Sequence, residues 1–198
     1  RGLKSSSVAS NAIALATFSA LGEDVDDLTV INLGVDAAID ARVTITGAFD
    51  DACASYFGDV VITDNHRRSI LKRFAAEDYA VLIHAPAEKS YTVGSNVERM
   101  KLIAKEVKTI HKVALSGDYW SAMTINGILY SSVLGYDPSI ALDALSAGAV
   151  AAGLSGKGPA TAAVVPDDRI EDVRGVWERY GGEVILTRVN HEKARVLM

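Results

Sequence analysis

Small and apolar residues recur at helical spacing near the start of the chain, and they predict two consecutive helices. The first is predicted to run from Ser5 or Ser6 to about Leu21, where Gly22 supplies a stop signal. The second is predicted over 25–41. The stripe along the first helix consists of Val8, Ala12, Leu15, Ala16 and Ser19.

The rest of the chain alternates between helical spacing and short β-branched runs. Strands are predicted at 59–63, 79–84, 149–152, 160–165 and 184–188. Helices are predicted at 50–56, 67–76, 96–115, 119–134, 139–147 and 168–180. Because the two kinds of element are interleaved without strict βαβ alternation, the pattern predicts an α+β fold.

Composition narrows the class of protein. The 198 residues include 20 Lys and Arg against 25 Asp and Glu, and the net charge of −5 argues against a nucleic-acid partner. The single cysteine, Cys53, excludes an internal disulfide and a multi-cysteine zinc site. The apolar stretch 12–21 is too short to span a bilayer. We therefore expect a cytoplasmic protein with no membrane partner.

The beginning of the chain is unusual for a natural domain. It starts with Arg1 and enters at once a Gly/Ser loop that feeds a helix, with nothing upstream to hold the loop. We therefore expect the chain to be the downstream part of a longer polypeptide. The missing N-terminal segment of that polypeptide would be its partner in folding.

The first candidate for chemistry is this opening loop, in which a glycine and a lysine precede the serines at a helix start. Unpaired N–H groups and the positive end of a helix favour an anion, glycine allows close approach, and serine hydroxyls add donors or a Mg²⁺ ligand. The alternative is a helix start capped by serine. The loop consists of Gly2, Leu3, Lys4, Ser5, Ser6 and Ser7.

The second candidate is the glycine-rich stretch 153–158, which lies between two predicted strands. Three glycines and Lys157 can form a backbone nest for an anion, although a glycine-rich hairpin turn is the alternative. The stretch is not a P-loop of the Walker A type, because Gly158 follows Lys157 where Ser or Thr is required. It does not match the GxGxxG dinucleotide fingerprint either.

The third candidate is the pair Asp50 and Asp51, which follows Gly47 in a small, apolar setting. One of these carboxylates could act as a base beside a phosphate site. The alternative is that Asp50 caps a helix and Asp51 favours its dipole. Nearby Cys53 is predicted to pack as a small hydrophobic residue rather than to act as a nucleophile.

Together these stretches resemble the GHMP kinases, the superfamily of galacto-, homoserine, mevalonate and phosphomevalonate kinases. Residues 2–9 resemble their Gly-Leu-x-Ser-Ser-Ala phosphate loop, and residues 153–160 resemble their glycine-rich third motif. The archaeal-type shikimate kinases are more similar still. They have lysine at the position of Lys4, Thr-Gly-Ala-x-Asp-Asp-Ala as at 46–52, and Ser-Gly-x-Gly-Pro-Ala as at 155–160.

The resemblance implies a two-subdomain GHMP kinase-like fold whose N-terminal portion is absent from this chain. Residues 1–90 would be the remainder of the ATP-binding subdomain, and 91–198 the C-terminal subdomain. It also implies transfer of the γ-phosphoryl group of ATP to a hydroxyl of shikimate, giving shikimate 3-phosphate. Mg²⁺ would assist the transfer, so ATP and Mg are the expected cofactors and shikimate is the expected substrate.

The resemblance also implies a role for each group of residues. Residues 2–7 would cradle the ATP phosphates, with Lys4 neutralising charge and Ser6 binding Mg²⁺. Gly156, Lys157 and Gly158 would close over the same site or orient the acceptor. One of Asp50 and Asp51 would be the catalytic aspartate, as a base or as an orienting group, and counting back from Gly58 favours Asp51.

Three other readings of the sequence stay open. The chain could be a GHMP kinase for another small alcohol, such as homoserine or mevalonate. It could be a non-catalytic ATP-binding module on the same scaffold, because a fold can outlast its chemistry. It could also be a plain α+β domain with capped helices and glycine turns.

Overall fold

The computed structural model describes residues 3, 5–42, 44, 47–87 and 97–197. They form two compact units, which we name by their contents. The helical unit comprises the described residues of 4–76 and 190–198, and the sheet unit those of 1–3 and 77–189. These units are defined by packing alone, so the predicted functional subdomains 1–90 and 91–198 stay a prediction.

The helical unit begins with three helices and a β-hairpin. The helices are α1 (Ser5–Leu21), α2 (Asp27–Asp40) and α3 (Phe49–Phe57), each close to its predicted position. The hairpin pairs β1 (Val60–Asp64) with β2 (Ser69–Phe74) in antiparallel register.

The helix predicted at 67–76 is wrong, because this segment contains strand β2. A turn at 65–68 leads the chain back along β1, and Arg67 N–H donates to Asp64 Oδ1 within it. Arg68, with a φ of 49°, pairs with Asp36 of α2 at 2.7 Å. Pairing with β1 thus overrides the helical propensity of the run 71–73.

The packed face of α1 differs from the predicted stripe. Its buried residues are Ser7, Asn11 and Ala14, with Leu15 and Phe18 partly buried against the core. Four of the five predicted stripe residues are exposed: Val8, Ala12, Ala16 and Ser19. Because α1 is uncharged and mixes apolar residues with Ser, Thr and Asn around its circumference, periodicity could not distinguish its inner face.

The sheet unit is a four-stranded antiparallel sheet with five α-helices in the described residues. Its strands are β3 (Ala80–Ala85), β4 (Ala151–Leu154), β5 (Thr161–Val165) and β6 (Glu183–Arg188), in the order β4-β5-β3-β6. Its helices are α4 (Val97–Leu102), α5 (Ala104–Leu115), α6 (Tyr119–Leu134), α7 (Ser139–Ser146) and α8 (Ile170–Glu178). A short 3₁₀ turn, Asp167–Arg169, leads into α8.

Two helices cover one part of this sheet through a shared core. Trp177 of α8 is fully buried, and its indole N–H donates to the Ile140 carbonyl of α7 at 2.8 Å. Leu82 of β3 is equally buried in the same cluster. The mixed architecture confirms the predicted α+β class, although the helix predicted at 96–115 is interrupted at Ile103.

Across the described ranges, none of the helices is long and apolar enough to cross a membrane.

Candidate active site

The start of α1 offers an exposed, uncharged helix N-terminus. Ser5 and Ser6 are exposed there, while Ser7 faces the core. The first turn of α1 contains no acidic side chain that would oppose an anion. Unpaired N–H groups and the positive dipole end therefore favour a phosphate at this position. Of the predicted loop residues, Gly2 and Lys4 lie outside the described residues, and Leu3 is exposed.

The start of α3 is held by Asn65, which lies just after β1. Asp50 N–H donates to Asn65 Oδ1 at 3.0 Å, and Asn65 Nδ2 donates to Asp50 Oδ1 at 2.7 Å. Thr63 Oγ1 donates to Asn65 Oδ1 at 2.8 Å and so fixes the amide. The N-cap residue is Ala48 with a φ of 50°, and no side chain caps the helix from that position. Asp50 therefore lies inside the first turn, and the alternative in which it caps the helix is wrong.

The two aspartates differ in their surroundings. Asp50 is exposed and its carboxylate accepts from Asn65, whereas Asp51 is half-buried. Both lie in the first turn of α3, where the helix dipole stabilises negative charge. The neighbouring Cys53 is fully buried, and burial together with the charge of Asp50 raises the pKa of its thiol to about 12. A thiol with such a pKa is not a nucleophile at neutral pH, so Cys53 packs as predicted.

Asn11 joins the two helices that carry these groups. From the buried face of α1 its Nδ2 donates to the Ala52 carbonyl at 2.8 Å and to Ser55 Oγ at 2.9 Å. The serines and the aspartates thus belong to one packed unit. The sequence analysis did not identify Asn11 or Asn65. In the sequence, Asn11 is visible only as an amide within an uncharged helix and Asn65 only as an amide directly after a strand. Neither feature identifies the residues to which the amide bonds.

We expect Asn11→Leu to destabilise the protein by about 1–3 kcal/mol, because it removes two hydrogen bonds of a buried amide and leaves the buried Ala52 carbonyl without this donor. Urea unfolding followed by circular dichroism measures this loss. Thr17→Val is the matched control, since Thr17 is exposed and its hydroxyl donates within α1, to the Ile13 carbonyl. Equal stability of the two variants would contradict a role for Asn11 in joining the helices.

The glycine-rich loop is a hairpin turn that connects β4 to β5 in the sheet unit. Ser155 N–H donates to the Ala160 carbonyl at 2.8 Å, and Gly158 N–H donates to the Ser155 carbonyl at 2.9 Å. Gly158 is buried with a φ of 74°, and a Cβ there would lie 2.7 Å from Leu154 and 2.8 Å from Tyr136. The turn is therefore tightly built and requires glycine.

Lys157 is the charged group of this turn. Its side chain is exposed, and no carboxylate in the described part of the chain forms an ion pair with it. The stretch 153–158 therefore forms a glycine-rich hairpin turn, which was one of its two predicted structures, and the turn carries a cation at its tip. A cation on a rigid turn is suited to binding an anion.

Among the described residues there is no cluster of three or more His, Cys, Asp or Glu side chains that could hold a metal ion. The arrangement suits chemistry on a phosphate group. Positioning and charge neutralisation are the main demands of phosphoryl transfer. Within the helical unit, the start of α1, its serine hydroxyls and the carboxylates of α3 are groups of the required kinds, and the sheet unit separately carries the exposed Lys157.

Comparison with known proteins agrees with this chemistry. Residues 1–59 match the family described as GHMP kinases N terminal domain. A shikimate kinase of Methanothermobacter thermautotrophicus is 47% identical over 201 residues, which cover 99% of this chain and 70% of that protein. A shikimate kinase of Methanobrevibacter smithii is 45% identical over 195 residues, covering 96% of this chain and 68% of that protein.

The fold is similar to that of a homoserine kinase from Cytophaga hutchinsonii. The TM-score is 0.68 at 18% sequence identity, and the match covers 96% of this chain and 67% of that chain. At that identity the likeness concerns the fold alone.

Proposed function

This chain belongs to the archaeal-type shikimate kinase family of the GHMP kinases, and we propose that it transfers the γ-phosphoryl group of ATP to a hydroxyl of shikimate. The product is shikimate 3-phosphate, an intermediate of aromatic amino acid biosynthesis. The observation that carries the proposal is the joining of α1 and α3 by Asn11. One packed unit thereby holds a helix start suited to phosphate and a helix start that bears carboxylates.

The start of α1 is the proposed phosphate site. Ser5 and Ser6 are exposed where the N–H groups of the helix are unpaired, so they can donate to phosphate oxygens. Gly2 and Lys4 are proposed to complete this loop, as the family resemblance implies. The lysine would neutralise part of the charge that develops during transfer.

Ser6 is the proposed protein ligand for Mg²⁺. Its side chain is exposed in the first turn of α1, and its backbone carbonyl accepts a hydrogen bond from Ser10 Oγ at 3.0 Å. Mg²⁺ in kinases takes few protein ligands and completes its shell with phosphate oxygens and water. A hydroxyl oxygen can therefore serve as one of its protein ligands, and the bound ion would add charge neutralisation at the phosphates.

Asp51 is the proposed catalytic aspartate. The acceptor hydroxyl oxygen attacks the γ-phosphorus, the bond from that phosphorus to the bridging oxygen of ADP breaks, and the hydroxyl proton leaves. A half-buried carboxylate can orient this hydroxyl or accept its proton. Asp50 is less suited, because it is exposed.

The turn that carries Gly156, Lys157 and Gly158 is proposed to bind the same phosphates or the acceptor. Its tight construction fixes the backbone, and the ammonium of Lys157 is exposed for an anion. Shikimate carries a carboxylate, so either anionic group would meet a cation here.

We expect the full-length protein to release ADP from ATP and Mg²⁺ when shikimate is offered, and to release none with homoserine or mevalonate. A coupled assay with each acceptor in turn measures this. Turnover with another acceptor would keep the mechanism and change the substrate. ATP binding without turnover on any acceptor would instead support the non-catalytic module.

A further inference from the structure

The chain after β6 returns to the helical unit and lies against the end of α3. We call residues 190–197 the C-terminal strap; they form no helix or strand. The strap contacts the end of α3 opposite to the one that bears the aspartates.

Main-chain hydrogen bonds attach the strap at two points. Asp59 N–H donates to the Asn190 carbonyl at 2.7 Å, and Ala194 N–H donates to the Tyr56 carbonyl at 2.7 Å. The last carbonyls of a helix lack intrahelical partners, so the second bond satisfies a group that α3 cannot satisfy itself. Gly58 allows this approach, because a Cβ there would lie 2.7 Å from the Asn190 oxygen.

Side chains of the strap add two polar contacts. His191 Nδ1 lies 2.7 Å from Asp59 Oδ1, the distance of a hydrogen bond donated by the imidazole. Lys193 Nζ lies 2.8 Å from Asp27 Oδ1 at the start of α2, and the hydroxyl of Tyr56 donates to the same oxygen at 2.9 Å. Tyr56 is itself buried in α3, so Lys193 reaches that helix through Asp27.

We propose that the C-terminal strap is a positioning element of the kinase, which fixes the far end of α3 so that Asp51 is held in place for phosphoryl transfer. The inference rests on the proposed function. A nine-residue helix is about 13 Å long and moves as a rigid rod. Asn65 holds the first turn of α3, Asn11 holds its middle, and the strap holds its far end. Release of the strap therefore leaves the far end unheld, so that the helix can tilt about Asn11 and its first turn can shift.

The Asp59–His191 contact is intact at neutral pH. The hydrogen bond from His191 is the main cause that lowers the pKa of the Asp59 carboxyl, and the Ala76 N–H and the charges of His191 and Arg73 add to it. A lowered pKa means that the contact stabilises the folded state above the ordinary aspartate range and is lost as the pH falls through the lowered pKa. Kinase assays at neutral pH therefore test the strap in its attached state.

The test uses substitutions in the full-length protein. His191→Ala removes the contact to Asp59, and His191→Asn is the conservative variant because its amide nitrogen can still donate. Lys193→Ala removes the contact to Asp27. Arg195→Ala is the matched control, since this cation is exposed and pairs with Glu192 inside the strap. Amide hydrogen exchange of α3 and Asp59 reports on the strap, while kcat and KM with ATP and shikimate report on the reaction.

We expect His191→Ala and Lys193→Ala to accelerate exchange of the Asp59 amide and to lower kcat about tenfold at unchanged KM for ATP, since small misplacement of catalytic groups is costly. His191→Asn should restore kcat to within about twofold of the original, and Arg195→Ala should leave both readouts unchanged. Faster exchange with unchanged kcat would show a strap that only stabilises, and unchanged exchange would show that the His191 and Lys193 contacts do not hold the strap against α3. Either result overturns the proposal.

The two proposals fail in distinguishable ways. If the unsubstituted protein shows no turnover on any acceptor, the proposed function is wrong and the positioning role falls with it, even where exchange shows the strap attached. If the unsubstituted protein turns over and the strap variants keep its kcat, only the positioning role is wrong.

Discussion

Asp51→Asn is expected to lower kcat by roughly a hundred- to ten-thousand-fold, the range that a general acid or base contributes. Asparagine keeps the size and the hydrogen-bonding oxygen of the side chain but cannot accept the proton of the attacking hydroxyl at neutral pH. The variant should bind ATP with nearly unchanged affinity, because the proposed phosphate site at α1 is intact. Single-turnover kinetics with shikimate, together with calorimetric titration of ATP, separate these two effects.

Asp50→Asn is the matched control. This variant makes the same chemical change one residue before Asp51. The Asp50 carboxylate, however, is exposed and accepts a hydrogen bond from Asn65. An asparagine there can still accept from Asn65, so kcat should stay within about fivefold, as for most exposed substitutions. A large loss for Asp50→Asn with little loss for Asp51→Asn would reverse the assignment of the two residues.

Much of the local structure of this protein follows from its sequence. The helices at 5–21 and 50–56 were predicted close to their observed bounds, because small residues, acidic first turns and stop glycines act over a few residues. The glycine turn at 153–158 was placed correctly between two strands for the same reason. Motif order then indicated the family.

What the sequence did not predict depends on contacts between distant residues. Strand β2 was predicted as a helix because only its pairing with β1 makes it extended. Asn11 reaches α3 across 41 positions, and His191 reaches Asp59 across 132. Neither pair has a local pattern, so the groups that position Asp51 emerge only from the fold.

Gly127→Ala is expected to destabilise the protein by overpacking. Helix α6 crosses β4 at this glycine, and a Cβ on Gly127 would lie 2.3 Å from the Gly153 Cα and 2.7 Å from the Leu154 nitrogen. Both are backbone atoms, so no side-chain rotation can relieve the overlap. Alanine gains about 1 kcal/mol over glycine in helix propensity. Overpacking costs about 1–3 kcal/mol and occasionally more. Because the overlapping atoms belong to the backbone, we expect the upper end of this range, and after the propensity gain is subtracted the net loss of stability is about 2 kcal/mol.

Gly175→Ala tests the opposite case in the same unit. Gly175 lies in α8, is exposed, and has nothing within 4 Å of an added Cβ. Only the difference in helix propensity between alanine and glycine applies there, so the free energy of unfolding of this variant should rise by up to about 1 kcal/mol. Thermal unfolding of both variants should therefore shift in opposite directions. If Gly127→Ala is also stabilised, α6 does not lie directly on β4.

The same pair of variants connects stability to the proposed site. Gly153 is part of β4 and begins the stretch that turns at Gly156–Lys157–Gly158, so a displaced β4 moves the turn. We therefore expect the folded fraction of Gly127→Ala to show a raised KM for ATP or for shikimate, measured well below its unfolding temperature. Gly175→Ala should show neither change. An unchanged KM in a destabilised Gly127→Ala would mean that the turn holds its position independently of the crossing of α6 and β4, through its own hydrogen bonds.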